Sequence, residues 1–243
     1  MAKIRVVGIG PGDYEEMTVR AVNALNACDV IVGYHVYVDL VKAHFPDKEF
    51  HTTPMRREVD RCRIALDLAR EGRDVAMICS GDAGVYGMAG LIYELRGEDA
   101  EPEVEVVGGL TAAISGGARL GAPLTHDFCV VSLSDLLTPW ETIEKRLECA
   151  ARGDFAVALY NPSSMKRADY LQRACDILLR YAKPETVCGV VRNIGREGEA
   201  IKVMPLSELR DYQADMFTTV FIGNSHTKVI GGRMVTPRGY RDV

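Results

Sequence analysis

This sequence of 243 residues lacks three features, and each absence argues against a class of protein. No stretch approaches the roughly 20 apolar residues that a transmembrane helix needs. The formal net charge is -5 and the pI is about 5.6, so the totals show no basic surplus of the kind that nucleic-acid-binding domains carry. The seven cysteines include no CxxC pair, which argues against a zinc or iron–sulfur site.

A secretory signal peptide is not evident either. The first residues, MAKIRVVGIGPGD, carry charges where a signal peptide has an uninterrupted apolar region. We therefore expect a cytoplasmic protein whose cysteines are reduced and mostly lie in the core, since several occur in apolar runs such as MICS and VCGVV. Hydrophobic residues make up 47% and charged residues 26%, as in ordinary globular domains.

Apolar, β-branched segments alternate with segments of helical spacing along the chain. In the first half we predict strands at residues 4–10, 29–33, 49–52, 74–80 and 103–107, with helices that include residues 15–27, 34–44 and 57–70. In the second half we predict strands at residues 128–133, 155–160, 186–193 and 216–223, and helices over 139–151 and 165–181. This alternation predicts the α/β class, as two domains (1–122 and 123–243) with mainly parallel sheets and a cleft between them. The boundary is placed at GAPLT, residues 121–125.

Three glycine-rich loops each follow a predicted strand: GIGPGD, SGDAGVYG and GGLTAA. The first departs from the dinucleotide fingerprint G-x-G-x-x-G, because Asp13 stands where the third glycine is required. An acid there opposes a pyrophosphate, and the acidic residue expected after the second strand is also missing. No GK[ST] follows, which argues against a P-loop. The pattern predicts a cofactor that is not held through phosphates.

Asp82 directly follows a predicted buried strand. Its carboxylate can pair with a cationic ligand, or it can cap the next helix, and the pattern alone leaves both interpretations open. S-adenosylmethionine carries a sulfonium and an ammonium group but no phosphate, so it fits such loops better than NAD does.

At these loops the sequence resembles the tetrapyrrole methylase family, over nearly its whole length. The matching motifs are VGIGPGD, SGDAGVYGMAG, GLTAAISGGARLGAPLTHDF, ALYNPSS, VVRNIGREGE and TTVFIGNS. One glycine loop is weak evidence, whereas six motifs in the family's order are specific. The chain departs from most of the family at Ala83, where proline is usual.

Ala83, SLSDLLTPWE, LYNPSS and the terminal MVTPRGY resemble one branch of that family. This branch methylates ring carbon 17 of a corrin precursor, precorrin-3B or its anaerobic counterpart cobalt-factor III, and contracts the macrocycle. The resemblance therefore implies vitamin B12 (cobalamin) biosynthesis, S-adenosyl-L-methionine as methyl donor, an acidic tetrapyrrole substrate and a homodimer, without nucleic acid or membrane as partner.

The resemblance also implies roles for individual residues. Those it places at the cofactor are Pro11, Gly81, Asp82, Ala83, Val85, Tyr86, Thr111, Ala112, Tyr160, Asn161, Arg192, Asn193, Thr219 and Val220. The residues of the second loop would hold the methionine end and the sugar, and the pairs from Tyr160 onward would surround the adenine. No residue is expected to bind a metal.

Catalysis is expected to need few side chains, since the sulfonium methyl is already electrophilic and alignment lowers much of the barrier. Ring contraction also moves protons, for which Asp13, His126 and His35 are candidate acids or bases, with a structural role open for each. The carboxylates of the substrate predict a cationic surface. The segment MRREVDRCR supplies it through Arg56 and Arg57, unless this is only a solvated helix start.

Other functions remain as alternatives. The nearest is another tetrapyrrole methylase, such as uroporphyrinogen III methyltransferase. Diphthine synthases and ribosomal-RNA methylases share the architecture, but the acidic pI argues against RNA. An NAD-linked oxidoreductase is disfavoured by Asp13, and a non-enzymatic nucleotide-binding module does not explain motifs in both halves.

Overall fold

The computed structural model describes residues 3–98, 101–164 and 167–241. The chain divides into two compact units between Thr111 and Ala112. In chain order, the first unit contains β1 (Lys3–Gly8), a short 3-10 helix (Tyr14–Glu16), α1 (Val19–Ala27), β2 (Val30–Tyr34), α2 (His35–Val41), β3 (Glu49–Thr53), α3 (Glu58–Arg70), β4 (Val75–Cys79), α4 (Ala89–Arg96) and β5 (Glu103–Val107).

Five parallel strands form the sheet of the first unit, in the order β3-β2-β4-β1-β5. Both faces of this sheet are covered. Val6 and Met77 lie in one core cluster, and their chain neighbours Val7 and Ile78 lie in another. Strands that are buried on both faces need no polar alternation, which explains the continuous apolar runs of β1 and β4. The parallel sheet predicted for this half is confirmed.

Helix α1 begins later than its apolar spacing predicts. The Thr18 hydroxyl accepts the Ala21 N–H at 3.1 Å, so it caps a helix that starts at Val19. Asp13 caps the separate 3-10 helix, and Met17 packs into the core from extended backbone between the two. The prediction of one helix over residues 15–27 is wrong because two capping residues each start a helix of their own.

The second unit begins with a helix and contains two sheets. Its elements are α5 (Ala112–Leu120), β6 (Gly121–Ala122), β7 (Phe128–Ser132), α6 (Trp140–Arg152), β8 (Ala156–Tyr160), α7 (Tyr170–Leu178), β9 (Val187–Arg192), β10 (Ala200–Pro205), α8 (Leu206–Leu209), β11 (Thr218–Ile222), β12 (Lys228–Ile230) and β13 (Arg233–Val235). The larger sheet has the order β10-β9-β11-β8-β7, and a smaller one has the order β12-β13-β6.

The larger sheet of the second unit is mixed. Only β7 and β8 pair in parallel, whereas β11 runs antiparallel to both β8 and β9. β9 and β10 are joined by residues 193–199, too short a segment for a helical crossover, so they pair as an antiparallel hairpin. The α/β class is confirmed, but a mainly parallel sheet is wrong for this half.

Several short elements of the second unit were not predicted: β6, β10, α8, β12 and β13. β12 is exposed along its length and β10 over its first half, so neither carries a buried apolar run. The helix predicted over residues 165–181 is shorter. Its expected start lies outside the described residues, and α7 begins at Tyr170. Within the described chain, no helix combines the length and apolar character needed to cross a membrane.

Helix α5 packs in the second unit. Its buried residues Ala113 and Leu120 share a core cluster with Val191 and Phe221. The structural division therefore comes before α5, whereas the sequence pattern placed it after this helix, near residues 121–125. GAPLT instead marks the turn that leaves the helix and pairs briefly with β13.

Candidate cofactor and substrate site

The three glycine loops of the first unit lie side by side, because β4, β1 and β5 are neighbouring strands and each loop follows one of them. Gly10 and Gly81 form an antiparallel bridge between the first two loops. The Gly10 N–H donates to the Gly81 oxygen at 3.0 Å, and the Gly81 N–H donates to the Gly10 oxygen at 2.7 Å. Both glycines have positive φ, +73° and +71°, which residues with a side chain rarely adopt. The loops are thus joined through their backbones.

Two further glycines are required by this close approach. A Cβ on Gly109 would lie 2.2 Å from the Gly81 oxygen, and a Cβ on Gly8 would lie 2.7 Å from the same oxygen. Real Cβ atoms do not come so close to backbone, so side chains at these positions would push the loops apart. Glycine is therefore required at both positions for the packing of one loop against another.

The Asp82 carboxylate connects the second loop to the third. Its Oδ1 accepts the N–H groups of Gly84 and Val85 at 2.8 and 3.0 Å, and its Oδ2 accepts the Gly109 N–H at 2.9 Å. Helix α4 begins at Ala89, so the suggestion that Asp82 caps this helix is wrong. The carboxylate stabilises a turn and an adjacent loop instead, and the half-buried side chain keeps contact with solvent.

The other predicted cofactor residues of the first unit lie around these hydrogen-bonded loops. Pro11 and Ala83 are buried, whereas Val85 and Tyr86 are exposed by 37% and 56%. Tyr86 has a φ of +54°, a strained backbone for a bulky residue and one that accumulates at functional sites. Thr111 is half-buried at the end of the third loop. The structure thus brings the predicted residues of this unit to the carboxyl ends of its strands.

In the second unit, Ala112 and Tyr160 lie close together. The Tyr160 hydroxyl accepts the N–H of Ala113, the second residue of α5, at 2.6 Å, and Tyr160 is the last residue of β8. Asn161 follows with a φ of +54° and donates its amide to the Ser132 hydroxyl at 2.9 Å. These contacts fix the carboxyl ends of β7 and β8 relative to the start of α5.

Arg192 and Asn193 lie at the end of β9, beside Thr219 and Val220 of the neighbouring strand β11. The Arg192 Nε donates to Asp215 at 2.7 Å, so its charge has a partner within the unit. Burial acts to raise the pKa of Asp215, but the hydrogen bonds from Arg192 and Thr218 outweigh it and hold that pKa below its ordinary value. Val220 lies wholly in the core, which leaves its side chain facing other apolar groups.

Of the three candidate acid–base groups, Asp13 and His35 lie in the first unit and His126 lies in the second. Asp13 is exposed and accepts the Tyr14 N–H at 2.6 Å, and the exposed His35 opens α2 with its ring edge on Tyr34. The loops that carry Asp13 and His35 follow β1 and β2, which are separated by β4. His126 belongs to the second unit, where its ring is parallel to that of His226 with centroids 6.5 Å apart. Asp13 and His35 therefore lie on separate loops of the first unit.

The segment rich in arginine lies before and within α3. Arg56 is exposed with a φ of +65°, and the exposed Arg57 forms an ion pair with Asp60 at 2.6 Å. Arg61 differs from both, since it is only 5% exposed and lies beneath the ends of β2 and β3. The sequence pattern placed all of these arginines in one cationic segment and gave no sign that Arg61 is buried.

Comparison with known proteins identifies the fold and the family. The model of tetrapyrrole (corrin/porphyrin) methylases matches residues 3–210. The chain belongs to this family. A probable cobalt-factor III C(17)-methyltransferase of Salmonella typhimurium is 47% identical, over 98% of this chain and 99% of its own. The precorrin-3B C(17)-methyltransferase of Sinorhizobium sp is 42% identical, over 93% and 90%. The crystal structure of the methyltransferase CobJ has a TM-score of 0.89 and 39% identity, and the match covers 98% of this chain and all of that one.

The cysteines of this methylase take no visible part in the site. Five are buried, and burial raises the pKa of Cys28 and of Cys79 to about 11 and that of Cys62 to about 12. A thiol with so high a pKa is protonated at neutral pH and is therefore a poor nucleophile. Among the described residues, no group of three or more His, Cys, Asp or Glu side chains is placed to hold a metal ion.

Proposed function

We propose that this methylase transfers a methyl group from S-adenosyl-L-methionine to ring carbon 17 of precorrin-3B or cobalt-factor III, with contraction of the macrocycle, in cobalamin biosynthesis. Two relatives that match nearly the whole chain carry these activities in their names. This similarity favours the C(17)-methyltransferases over the nearest alternative in the family, because a uroporphyrin-III C-methyltransferase with a solved structure is only 23% identical to this chain.

One observation in the site carries the choice of cofactor. The backbone N–H groups that a phosphate-binding loop would offer are already bonded to protein acceptors: those of Gly10 and Gly81 to each other's loop, and those of Gly84, Val85 and Gly109 to the Asp82 carboxylate. Loops that bind pyrophosphate leave such donors open to the ligand. A carboxylate at the centre of the loops also favours a cationic group and repels an anionic one.

The residues of the first unit fit a sulfonium cofactor. Asp82 fixes the second and third loops, and buried Pro11 and Ala83 give them apolar walls. Gly81, Val85, Tyr86 and Thr111 complete this part of the proposed site, and Ala112, Tyr160, Asn161, Arg192, Asn193, Thr219 and Val220 are the residues that we propose for cofactor binding in the second unit. When bound, the cofactor supplies an electrophilic methyl group, so the task left to the protein is to hold a ring carbon in line with it.

Substrate binding and proton transfer are proposed for charged residues of the loops. Arg56 is exposed and Arg57 is only 2.6 Å from Asp60, so Arg56 has the freer charge for a substrate carboxylate. Asp13, His35 and His126 are the proposed groups for proton movement during contraction, because each keeps solvent contact at a loop or at the end of an element. We also propose a homodimer in the cytoplasm, which sedimentation of the purified protein and fractionation of its cells would test.

Incubation with candidate substrates tests this function. The protein would be mixed with S-adenosyl-L-methionine and, in parallel, metal-free precorrin-3B, cobalt-factor III or uroporphyrinogen III. We expect one of the first two to gain one methyl group by mass spectrometry, with the spectral change of a contracted ring. Methylation of uroporphyrinogen III alone would contradict the proposal and favour the nearest alternative within the family.

A further inference from the structure

Arg61 is a buried cation without an acidic partner. Arg61 is only 5% exposed, and within the described residues its guanidinium forms no ion pair. Arg5 and Arg167, whose side chains are 14% and 15% exposed, both lie against carboxylates. Burial of a charge without a countercharge carries a large free-energy cost, so such a group calls for an explanation.

The contacts of Arg61 orient its guanidinium but do not neutralise it. Nε donates to the Thr53 hydroxyl at 2.8 Å, and Nη2 donates to the Pro54 oxygen at 3.2 Å. The guanidinium carbon lies 5.7 Å from the centre of the Tyr34 ring. The other terminal nitrogen, Nη1, makes none of these bonds and is not among the atoms sealed from solvent. One edge of the fork is therefore held by neutral groups while another remains open.

The position of Arg61 relates it to the glycine loops. Tyr34 and Thr53 are the last residues of β2 and β3, and the sheet order places β2 beside β4, which carries the Asp82 loop. Ligands of parallel α/β sheets bind at the carboxyl ends of the strands. The charges of Arg61 and Asp82 both reach the thiol at the end of β4, where they act in opposite directions on a Cys79 pKa raised mainly by burial.

We propose that Arg61 binds a carboxylate of the acidic macrocycle and so sets the position of the substrate beside the cofactor loops. The inference rests on the proposed function, since it takes from it a substrate with many carboxylates. A carboxylate at the open edge of the fork supplies the missing countercharge, and guanidinium geometry suits such an acceptor. Arg56 and Arg57, both exposed, would add attraction without fixing a position.

Direct binding measurements with uroporphyrin III, a porphyrin with eight carboxylates, test the proposal. Titrations would use the whole protein saturated with S-adenosylhomocysteine. We expect Arg61→Gln to weaken uroporphyrin binding at least tenfold, to flatten its dependence on salt, and to leave S-adenosylhomocysteine affinity within twofold. Arg63→Gln is the matched control, because it removes the same charge from an exposed position of α3, and its affinities should stay within twofold of the wild type.

A merely structural role would have a different signature. In that case Arg61→Gln would lower the Tm but bind uroporphyrin as the wild type does, and this result would overturn the inference while the proposed function stands. Should the glutamine variant not fold, Arg61→Lys decides, since a single ammonium cannot keep the Thr53 and Pro54 contacts and reach a carboxylate. We expect at least threefold weaker binding, and unchanged affinity would again refute the role. A wild type that binds S-adenosylhomocysteine but no uroporphyrin would overturn the acidic-substrate proposal together with this inference.

Discussion

Replacement of Asp82 by alanine should both destabilise the first unit and weaken cofactor binding. The carboxylate accepts three backbone N–H groups from two loops, at 2.8, 3.0 and 2.9 Å. A hydrogen bond to a charged group contributes about 1.5–3 kcal/mol. The freed Gly84 and Val85 N–H groups can turn to water because both residues are exposed, so their loss costs least. Gly109 is half-buried, and its hydrogen bond to Asp82 joins two loops. Loss of this bond should therefore account for most of the lost stability.

From these contacts we expect the Asp82→Ala protein to lose about 2–4 kcal/mol of unfolding free energy. Asp82→Asn keeps one acceptor oxygen but turns an N–H₂ group toward a donor, so we expect a smaller loss of about 1–3 kcal/mol. Urea unfolding measures both losses, and calorimetry with S-adenosylhomocysteine measures the affinity, which should fall at least tenfold for each variant. Asp47→Asn, which removes the same charge from an exposed position, is the control.

The outcome for the two variants separates structure from binding. A loss of stability with unchanged S-adenosylhomocysteine affinity would limit Asp82 to fastening the loops. Unchanged stability and unchanged affinity in Asp82→Ala would refute the reasoning as a whole, because three charge-assisted hydrogen bonds would then contribute nothing measurable.

Three further predictions concern other parts of the molecule. Gly109→Ala should lower the unfolding free energy by about 1–3 kcal/mol or more by urea titration, because its Cβ would meet the Gly81 oxygen at 2.2 Å, whereas Gly108→Ala, with its Cβ 3.5 Å from Asp82, should be nearly neutral. The Tyr170 hydroxyl and Arg167 hold the pKa of Asp135 below its ordinary value. This carboxylate therefore stabilises the fold fully above pH about 4 and progressively less as the pH falls through the lowered pKa. The difference in unfolding free energy between wild type and Asp135→Asn should shrink over that acid range, and a difference independent of pH would contradict the assignment. Exposed Cys149 should be alkylated by iodoacetamide in the native protein, while Cys175, whose pKa burial raises to about 12, should react only after unfolding, as mass spectrometry of the labelled peptides would reveal.

The fold of the first unit follows from its sequence more closely than that of the second. Continuous apolar runs such as β4 indicate strands covered on both faces, and a helix after each predicts parallel pairing. In the second unit the antiparallel pairing of β11 with β8 and β9 joins segments far apart along the chain, and no local pattern reveals it. Strand β12 has three exposed residues, so only its pairing with β13 makes it a strand.

Only those features of the site that depend on local sequence could be predicted. Motif order located the glycine loops and Asp82, because turns with positive φ and close backbone packing demand particular residues at fixed places. The partners of Asp82 were not predictable, since Gly109 lies far along the chain and reaches it only through the pairing of β1 with β4 and β5. Burial of Arg61 likewise depends on its contacts with the ends of β2 and β3, which the segment MRREVDRCR by itself does not reveal.

Calorimetric titration of the purified protein with S-adenosylhomocysteine, NAD and ATP tests the central claim, which is that loops whose N–H groups are bound to Asp82 and to one another accept a cofactor without phosphates. We predict tight binding of S-adenosylhomocysteine, weakened in Asp82→Ala, and no measurable heat with the two nucleotides. Tight binding of NAD or ATP together with no binding of S-adenosylhomocysteine would contradict the account.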